Sequence, residues 1–468
     1  MKDKKLKTAL AIVSVLAFLL LAAGVLFTLR YFNVVGPQIT KAELFKEAGE
    51  INVPIVEINT RGSISKTDEY TSCSFAISNC ENEAFNFSVS GAENATDEGG
   101  VGIRVRGKTT SRALKKPYRI KFNEKTSVLG MKANKSWVLL ADYYDQSYIR
   151  NYTALTLASY FNNLDFTPTP NHVALFVNGK FMGLYLLCEQ IDEESGRLDI
   201  EQKNENMSPT DKDYPLHLVI EKSLENGKTP ETDFFINEWA YVEIKYPDYE
   251  DRMEISQGNG DPVYEYAKEY MAAVFETART GGTVNVSFSD VPVSFEDLVD
   301  VESMIDYYLL NEILLNCDSC IKSFHLHKAK GGKLEFGPVW DFDWSLDCEH
   351  WDLPYTESGI EFANTIEIAS RSKLFKLILS NESYYNLIAE RYSQIKESLI
   401  IVADSLRYYK EYINGVALVD AHKWHGRDGQ MEYSYQFDYV RLFLYDRYDF
   451  LSYAFSLSHK EFLELVNK

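Results

Sequence analysis

Two aspartates flank a pair of short apolar segments in the second half of the chain. Asp318 precedes the segment KSFHLHKA, and Asp341 lies near the end of the segment KLEFGPVWDF. The sequence KGGK at residues 330–333 predicts a tight turn between them, so we expect a β-hairpin that brings the aspartates together. Such a pair fits phosphoryl transfer, in which one carboxylate accepts a proton from the attacking hydroxyl and the other holds a divalent cation. Aspartates at strand ends are also common as turn residues and caps, so this spacing alone leaves both interpretations open.

A basic cluster lies within residues 104–121 of an otherwise acidic chain. Arginine and lysine alternate there with apolar residues, which predicts two strands that each have a charged face and an apolar face. The charged face is either a solvated edge that hinders unwanted pairing or a cradle for phosphate groups. The segment GIRVRGKT at residues 102–109 matches the P-loop pattern, but its middle residues alternate like a strand and Pro117 follows soon after. We therefore do not expect the loop and helix that a P-loop requires.

The composition limits the kind of partner. The 468 residues carry a formal charge of −21 with a pI of about 4.9. Nucleic-acid binding needs a broad basic surface that releases counterions from phosphate, so a nucleic-acid partner is excluded. Hydrophobic residues make up 45% of the chain, which is enough for the core of one large two-lobed domain or of several average domains.

The N-terminus predicts a membrane anchor. A lysine-rich tail over residues 1–7 precedes an uncharged, mostly apolar run over residues 8–29. A helix of that length extends about 33 Å, which is enough to cross a hydrocarbon core of about 30 Å. The positive-inside rule then keeps the tail in the cytoplasm and exports the rest of the chain, with residues 30–50 as a juxtamembrane linker. A cleavable secretory signal is the alternative, and it would export the same part.

The six cysteines do not define a site. Cys73 and Cys80 could bridge across a hairpin, and Cys317 and Cys320 bracket Asp318 in a CxxC pattern. A zinc site would need two further ligands at matching spacing, which the sequence does not supply. Buried thiols or structural disulfides are therefore the expected roles.

The coarse pattern predicts an α+β chain with a β-rich first half and a helical second half. Short alternating segments fill a β-rich extension over residues 51–98 and a lobe over residues 99–250, while residues 294–468 have helical periodicity. Asn178-Gly179 is a strong hairpin signal, and residues 142–161 predict a helix with Asp145 or Ser147 as its N-cap. This layout is that of a two-lobed kinase, although other α+β proteins share it.

Two histidines lie in the predicted hairpin. His325 and His327 are two residues apart, so they share one face of the strand. That arrangement permits metal binding, but we expect ordinary strand residues that face the core or a neighbouring strand.

Four ordered motifs resemble the CotH family, atypical protein kinases named for a bacterial spore coat protein. The motifs span residues 50–350: IRVRGKTTSRALKKPYRIKF, WVLLADYYDQSYIRNYTA, VNGKFMGLYLLCEQID and DSCIKSFHLHKAKGGKLEFGPVWDFDWSLD. The resemblance implies a two-lobed, atypical protein-kinase-like fold over residues 51–468. It also implies transfer of the γ-phosphate of ATP to serine or threonine, with Mg²⁺ or Mn²⁺.

The resemblance assigns roles to four residues around the hairpin. Asp318 would be the catalytic aspartate, Asp341 a metal ligand and Asp343 either a second metal contact or a surface residue. Many kinases have a metal-binding asparagine about five residues after the catalytic aspartate, but this chain has Ser323 there. Because a hydroxyl is a poorer ligand, either one metal suffices or Asp343 compensates.

The resemblance also assigns four residues to the nucleotide. Lys116 would contact the phosphates, with Arg106 and Lys121 as neighbours. Glu189 would pair with that lysine or lie near the adenine. Removing Lys116, Asp318 or Asp341 is expected to lower the rate more than the stability of the fold.

The function implied is that of an exported, membrane-anchored kinase acting on Ser or Thr of surface or coat proteins of a bacterial cell. The alternative is a non-catalytic surface-binding pseudokinase of the same fold. A carbohydrate-modifying enzyme with paired carboxylates is compatible with the composition, but no motif supports it.

Overall fold

The computed structural model describes residues 38–193, 196–198, 200, 207–221, 233–236, 240–258, 260–316, 318–319, 322–348 and 362–467. The predicted membrane span over residues 8–29 lies outside these ranges, as do Cys317 and Cys320. No helix within the described ranges is long and apolar enough to cross a membrane. Cys73 and Cys80 are buried free thiols, so the bridge considered between them is absent.

Nine strands form a mixed sheet, sheet A. They are β1 Ile55–Asn59, β2 Thr71–Ser72, β3 Ser74–Ser78, β4 Phe87–Val89, β5 Val101–Val105, β6 Tyr118–Thr126, β7 Asn134–Leu140, β8 Asn171–Val177 and β9 Lys180–Glu189. Their order is β2-β5-β6-β7-β9-β8-β1-β3-β4. Neighbours are antiparallel except β1 and β8, which are parallel. Strands from residues 51–98 therefore share one sheet with strands from residues 99–250.

Local turn chemistry explains two connections of sheet A. Asn178 and Gly179 have φ values of 50° and 74°, as a two-residue hairpin turn requires, and this confirms the prediction for β8 and β9. Strand β5 runs through the P-loop match, and a 3₁₀ turn at Thr110–Arg112 follows it. The segment is therefore not a P-loop, as expected.

Five strands form the second sheet, sheet B. They are β10 Leu216–Glu221, β11 Asp233–Ile236, β12 Ala240–Tyr246, β13 Phe324–Lys328 and β14 Glu335–Phe336, in the order β11-β12-β10-β13-β14. Strands β13 and β14 form the predicted hairpin. Strand β14 is shorter than predicted because Gly337-Pro338 follows it, and proline has no backbone N–H for the ladder.

Helices dominate the second half, as predicted. The helices are α1 Lys41–Ala48, α2 Arg150–Ala158, α3 Tyr249–Ser256, α4 Pro262–Thr280, α5 Phe295–Leu298, α6 Val301–Leu314, α7 Ile368–Arg371, α8 Lys373–Leu379, α9 Glu382–Ile395, α10 Glu397–Ala454 and α11 His459–Val466. Helix α2 begins later than predicted. The carboxylate of Asp145 accepts from the backbone N–H of Ser147 and of Arg150, both at 2.9 Å, so it stabilises the turn before the helix.

Helix α10 folds back on itself at Gly426. Gly426 has φ 75° and ψ −161°, which breaks the helical path. Lys410 Nζ lies 2.8 Å from Asp438 Oδ2 across the two arms. The first arm carries Asp420 to sheet A, where its Oδ2 accepts from the backbone N–H of Leu184 at 2.6 Å.

Two large hydrophobic cores, with a third, smaller cluster around Leu198, hold the described elements together. One lies on a face of sheet A and contains Ile103, Ile120 and Trp137. The larger core joins the other side of β8 and β9 to sheet B and the helices. The polar residues of β5 and β6 therefore face away from the first core, toward the region between the two sheets.

Candidate active site

A small cavity collects acidic and basic side chains from distant parts of the chain. Its volume is about 40 Å³. It is lined by Arg106, Thr110, Lys115, Pro117, Leu140, Ala141, Asp142, Tyr143, Asn151, Trp340, Asp341 and Asp343. About 10–15 Å³ of this kind of volume holds one water, so the cavity has room for an ion and a few waters but not for a whole nucleotide.

Asp341 is held by contacts from several elements. Its Oδ2 accepts from the hydroxyl of Ser323 at 3.1 Å, and its backbone carbonyl accepts from Nδ2 of Asn316 at 3.5 Å. The next residue, Phe342, donates its backbone N–H to Oδ1 of Asn151 on α2 at 2.9 Å. Ser323, at the position of the expected asparagine, therefore contacts the predicted metal ligand.

Asp318 and Asp343 both lie close enough to Asp341 for its negative charge to affect their pKa values. Burial raises the pKa of Asp318 to about 6; Lys322 opposes this shift, and Asp341 adds to it. Burial raises the pKa of Asp343 well above its usual range, and Asp341 and Asp142 raise it further. The hairpin thus brings the two predicted aspartates together, with Asp343 beside them.

Asp142 is a site residue that the sequence analysis did not single out. It lies two residues after β7, and its side chain lines the cavity. Oδ1 accepts from Nδ2 of Asn151 at 2.9 Å, whereas Oδ2 is buried with no hydrogen-bond partner among the described residues. Burial and the charge of Asp145 raise the pKa of Asp142 to about 7. The signal in the sequence was its place in the motif WVLLADYYDQSYIRNYTA.

Three of these residues have an unusual backbone conformation. Asp142, Ser323 and Asp341 have φ values of 44°, 47° and 68°. Non-glycine residues adopt positive φ rarely, and such strain concentrates at functional sites where surrounding contacts impose it. Here Asp142 and Asp341 line the cavity, and the hydroxyl of Ser323 contacts Asp341.

Arg106 faces the aspartates from sheet A. Its guanidinium carbon lies 5.3 Å from the ring centroid of Trp340, and the side chain lines the cavity. Burial lowers the pKa of Arg106, while Asp341 opposes that shift. The following residue must be glycine, since Gly107 has φ 88° and a Cβ there would lie 2.2 Å from Oγ1 of Thr110.

The lysine that lines the cavity is Lys115 rather than Lys116. Nζ of Lys115 lies 2.8 Å from Oδ2 of Asp420 and donates to the carbonyl of Leu184 at 2.6 Å. Nζ of Lys116 instead donates to the carbonyl of Ser111 at 2.9 Å. The structure thus places the predicted phosphate contact outside the cavity lining.

Glu189 does not pair with Lys116. Its Oε2 accepts from the backbone N–H of Thr169 at 2.6 Å, and its Oε1 lies 3.6 Å from Arg197. Glu189 is opposite Trp137 in the sheet register, so it lies on the face of the first core. Burial raises its pKa, and Arg197 opposes that shift.

Lys121 lies at a second, larger cavity of about 870 Å³. Arg119, Ser136 and Tyr246 also line this cavity, and its volume is within the usual range for small-molecule sites. Arg119 is close enough to Arg106 to lower the pKa of that residue. The two cavities share no lining residue, but this arginine pair lies between them.

The donors around the small cavity fit a divalent cation. Mg²⁺ and Mn²⁺ prefer carboxylate oxygens, and Asp142, Asp341 and Asp343 supply them. The buried Oδ2 of Asp142 is an acceptor that the described residues leave unsatisfied. A buried carboxylate without a partner is costly, and a bound cation would remove that cost.

One family of known proteins matches most of the chain. The family model described as CotH kinase protein matches residues 103–451. This range contains every residue named around the small cavity. No curated protein matches the chain.

Proposed function

The chain belongs to the CotH family of kinase-like proteins, and on that premise we propose that it transfers the γ-phosphate of ATP to serine or threonine hydroxyls of proteins. The observation that supports this proposal is the convergence of Asp142, Asp341 and Asp343 on one cavity, with Arg106 opposite them. A site with this charge distribution suits a metal-bound triphosphate, since the carboxylates hold the cation and the arginine contacts phosphate oxygens.

Asp318 is proposed as the residue that accepts the proton. Its oxygen attracts the hydroxyl hydrogen of the substrate, the hydroxyl oxygen bonds to the γ-phosphorus, and the bond to the bridging oxygen of ADP breaks. With a pKa of about 6, Asp318 is mostly ionised at neutral pH and is able to accept the proton.

The other side chains bind and orient. Asp341, Asp343 and Asp142 would hold Mg²⁺ or Mn²⁺, which neutralises charge on the phosphates. The hydroxyl of Ser323 fixes the carboxylate of Asp341 at 3.1 Å. Arg106 would stabilise charge that develops on the transferred group.

The larger cavity is the proposed place of the nucleoside. It has room for a nucleoside, and its wall carries Arg119, Lys121 and Lys135 together with six carboxyl groups. A nucleotide placed there would direct its phosphates past Arg119 to Arg106. Lys121 then contributes positive charge, as the sequence predicts, while Lys116 supports the loop.

We further propose that the reaction takes place outside the cytoplasm. The run over residues 8–29 supports a single anchor, and the acidic remainder would stay soluble beside an anionic membrane. The substrates would then be surface or coat proteins that expose serine or threonine.

The direct experiment is transfer of labelled γ-phosphate from ATP by the full chain to itself and to a generic acidic protein, with Mg²⁺ or Mn²⁺. Asp318→Ala and Asp341→Ala should each lower the rate at least 100-fold, because each removes a group that contacts the reacting atoms or their metal. Asp290→Ala is the matched control, since Asp290 is exposed and paired only at the surface with Lys212. A folded wild type that transfers no more label than the two variants would refute the proposal and favour a surface-binding pseudokinase.

A further inference from the structure

A second group of metal-ligating side chains lies outside the site described above. One ligand atom each from Asp165, His327 and Glu335 lies within 4.8 Å of the other two. None of the three lines either cavity of the proposed kinase site. Their role is therefore not explained by phosphoryl transfer.

The imidazole of His327 is buried and orients one nitrogen toward the two carboxylates. The residue is 3% exposed, and Nδ1 lies 3.1 Å from the carbonyl of Gly337. A carbonyl only accepts, so Nδ1 carries the hydrogen and the neutral ring has its lone pair on Nε2. Nε2 lies 3.4 Å from Oδ2 of Asp165 and 3.8 Å from Oε2 of Glu335, but it has no hydrogen-bond partner among the described residues.

The neighbouring histidines have partners of their own. Nε2 of His217 lies 2.9 Å from Nδ1 of His325, and Nδ1 of His217 lies 2.6 Å from Oε1 of Glu193. Strand pairing places His327 directly opposite both His217 and Glu335. Sheet B therefore satisfies two of the three histidines on this face and leaves Nε2 of the third beside acceptor oxygens.

The charges around this nitrogen favour a cation. The carboxylate oxygens of Asp165 and Glu335 both approach Nε2 of His327, at 3.4 and 3.8 Å. A lone pair and two carboxylates that converge in this way repel one another unless a proton or a metal ion lies between them.

We propose that Asp165, His327 and Glu335 bind a divalent transition-metal ion, with Zn²⁺ as the best fit. Tetrahedral zinc with bonds of about 2.0 Å separates its ligand atoms by roughly 3.3 Å, close to the 3.4 and 3.8 Å observed here. The imidazole selects against Mg²⁺ and Ca²⁺, which prefer oxygen. A bond from Nδ1–H to a backbone carbonyl is the usual outer support of a zinc-binding histidine.

The ion would link the β13–β14 hairpin to the loop before β8. His327 and Glu335 belong to β13 and β14, whereas Asp165 lies in the loop between α2 and β8. Glu335 is six residues before Asp341, so the ion would stiffen the segment that leads to the aspartates. Asp165 is exposed, so a water can complete the coordination.

The test measures metal binding rather than phosphoryl transfer, so its outcome is independent of the proposed function. The full chain carrying Asp341→Asn and Asp343→Asn, which removes cation binding at the first site, is stripped with a chelator and titrated with Zn²⁺ by calorimetry. Titration with Co²⁺ gives a second readout in the visible spectrum. We expect one equivalent of Zn²⁺ to bind, and a tetrahedral Co²⁺ spectrum.

Asp165→Asn and Glu335→Gln should each weaken Zn²⁺ binding at least tenfold, and both changes keep the size of the side chain. His327→Gln should abolish the Co²⁺ spectrum, but its buried position requires a check of folding. Glu276→Gln is the control, because Glu276 is an exposed partner of Arg279.

Absence of saturable Zn²⁺ binding, or equal affinity in all variants, would overturn the proposal. A doubly protonated His327 at pH 7 by NMR would equally overturn it, since the cluster would then be an ion pair.

Discussion

Two buried carboxyl groups of this protein differ in the partners that compensate their negative charge. Glu312 on α6 accepts from the backbone N–H groups of residues 367 and 368 at 2.9 and 3.0 Å, and it lies 3.3 Å from Arg447. Asp142 at the small cavity receives one hydrogen bond, from Asn151, and its other oxygen has no partner among the described residues. Burial raises the pKa of both carboxyls. Burial alone therefore does not distinguish them, but their partners do.

These different partners distinguish a carboxyl that stabilises the fold from a carboxyl that is available to a ligand. Arg447 stabilises the carboxyl of Glu312, and its guanidinium also donates to the carbonyls of Ile313 and Ala363. The protein brings Asp341 and Asp343 beside Asp142, which adds like charge instead of removing it. A buried carboxyl beside like charges is typical of a binding site, where a bound ligand compensates the negative charge.

The largest effect on stability is expected at the completed pair. Arg447→Met leaves Glu312 buried without its cation, which should lower the free energy of unfolding by about 3–5 kcal/mol. Urea unfolding followed by circular dichroism measures this. Arg279→Met is the control: its guanidinium pairs with Glu276 at the surface, so no measurable change is expected. Equal effects of both substitutions would contradict the distinction.

The largest effect on activity among the cations is expected at Arg106. Arg106→Met should lower kcat/KM for ATP about 100-fold, because it removes the charge opposite the aspartates. Lys116→Met should change it less than about threefold, since that ammonium binds the carbonyl of Ser111 instead of lining the cavity. Initial rates at varied ATP measure both. The reverse order would restore Lys116 as the phosphate contact that the family resemblance implies.

The pH dependence of kcat/KM should follow the ionisation of Asp318. Asp318 accepts the proton only when it is ionised, so kcat/KM should fall about tenfold per unit as pH drops below its pKa of about 6. Rates from pH 5 to 8 give the profile, and Asp290→Asn should leave it unchanged. A profile that is flat from pH 5 to 7 would rule out Asp318 as the base.

The smallest effect is a gain of stability at Asp142. Its folded pKa of about 7 lies above the ordinary 3.8, so the folded protein binds more protons between these values and the free energy of unfolding falls as pH rises through that window. Asp142→Asn removes this loss. The variant should therefore be more stable than wild type by about 1–3 kcal/mol at pH 8 and nearly equal to it at pH 4. Urea unfolding at both pH values tests this, and a variant that is less stable at pH 8 would contradict it.

Local rules were enough to predict part of the site. The turns at residues 178–179 and 330–333 depend on the chemistry of a few adjacent residues, which a sequence displays directly. The second turn predicted that Asp318 and Asp341 would be close together, and the side chain of Asn316 contacts both: its Oδ1 accepts from the N–H of Asp318 at 3.3 Å and its Nδ2 donates to the carbonyl of Asp341 at 3.5 Å.

The other site residues depend on contacts that no local rule reports. Asp142 and Asp341 line the same cavity, although about 200 residues separate them in the chain. The packing of α2 against the segment after β14 brings them together. Lys115 and Lys116 lie in the loop before β6, so no strand periodicity chooses between them. Asp420 on helix α10 binds Lys115, and it approaches sheet A so closely that residue 183 must be glycine: a Cβ there would lie 2.1 Å from Oδ2 of Asp420.

The most direct test of the central claim is the effect of Mg²⁺ on thermal unfolding of the full chain and of the triple variant Asp142→Asn, Asp341→Asn, Asp343→Asn. We expect Mg²⁺ to raise the midpoint of the wild type by several degrees, because the cation binds the carboxylates that lack partners among the described residues. The triple variant should have a higher midpoint than wild type without Mg²⁺ and should not respond to it. An equal response of both proteins, or a triple variant that is less stable without Mg²⁺, would show that these aspartates do not form the cation site.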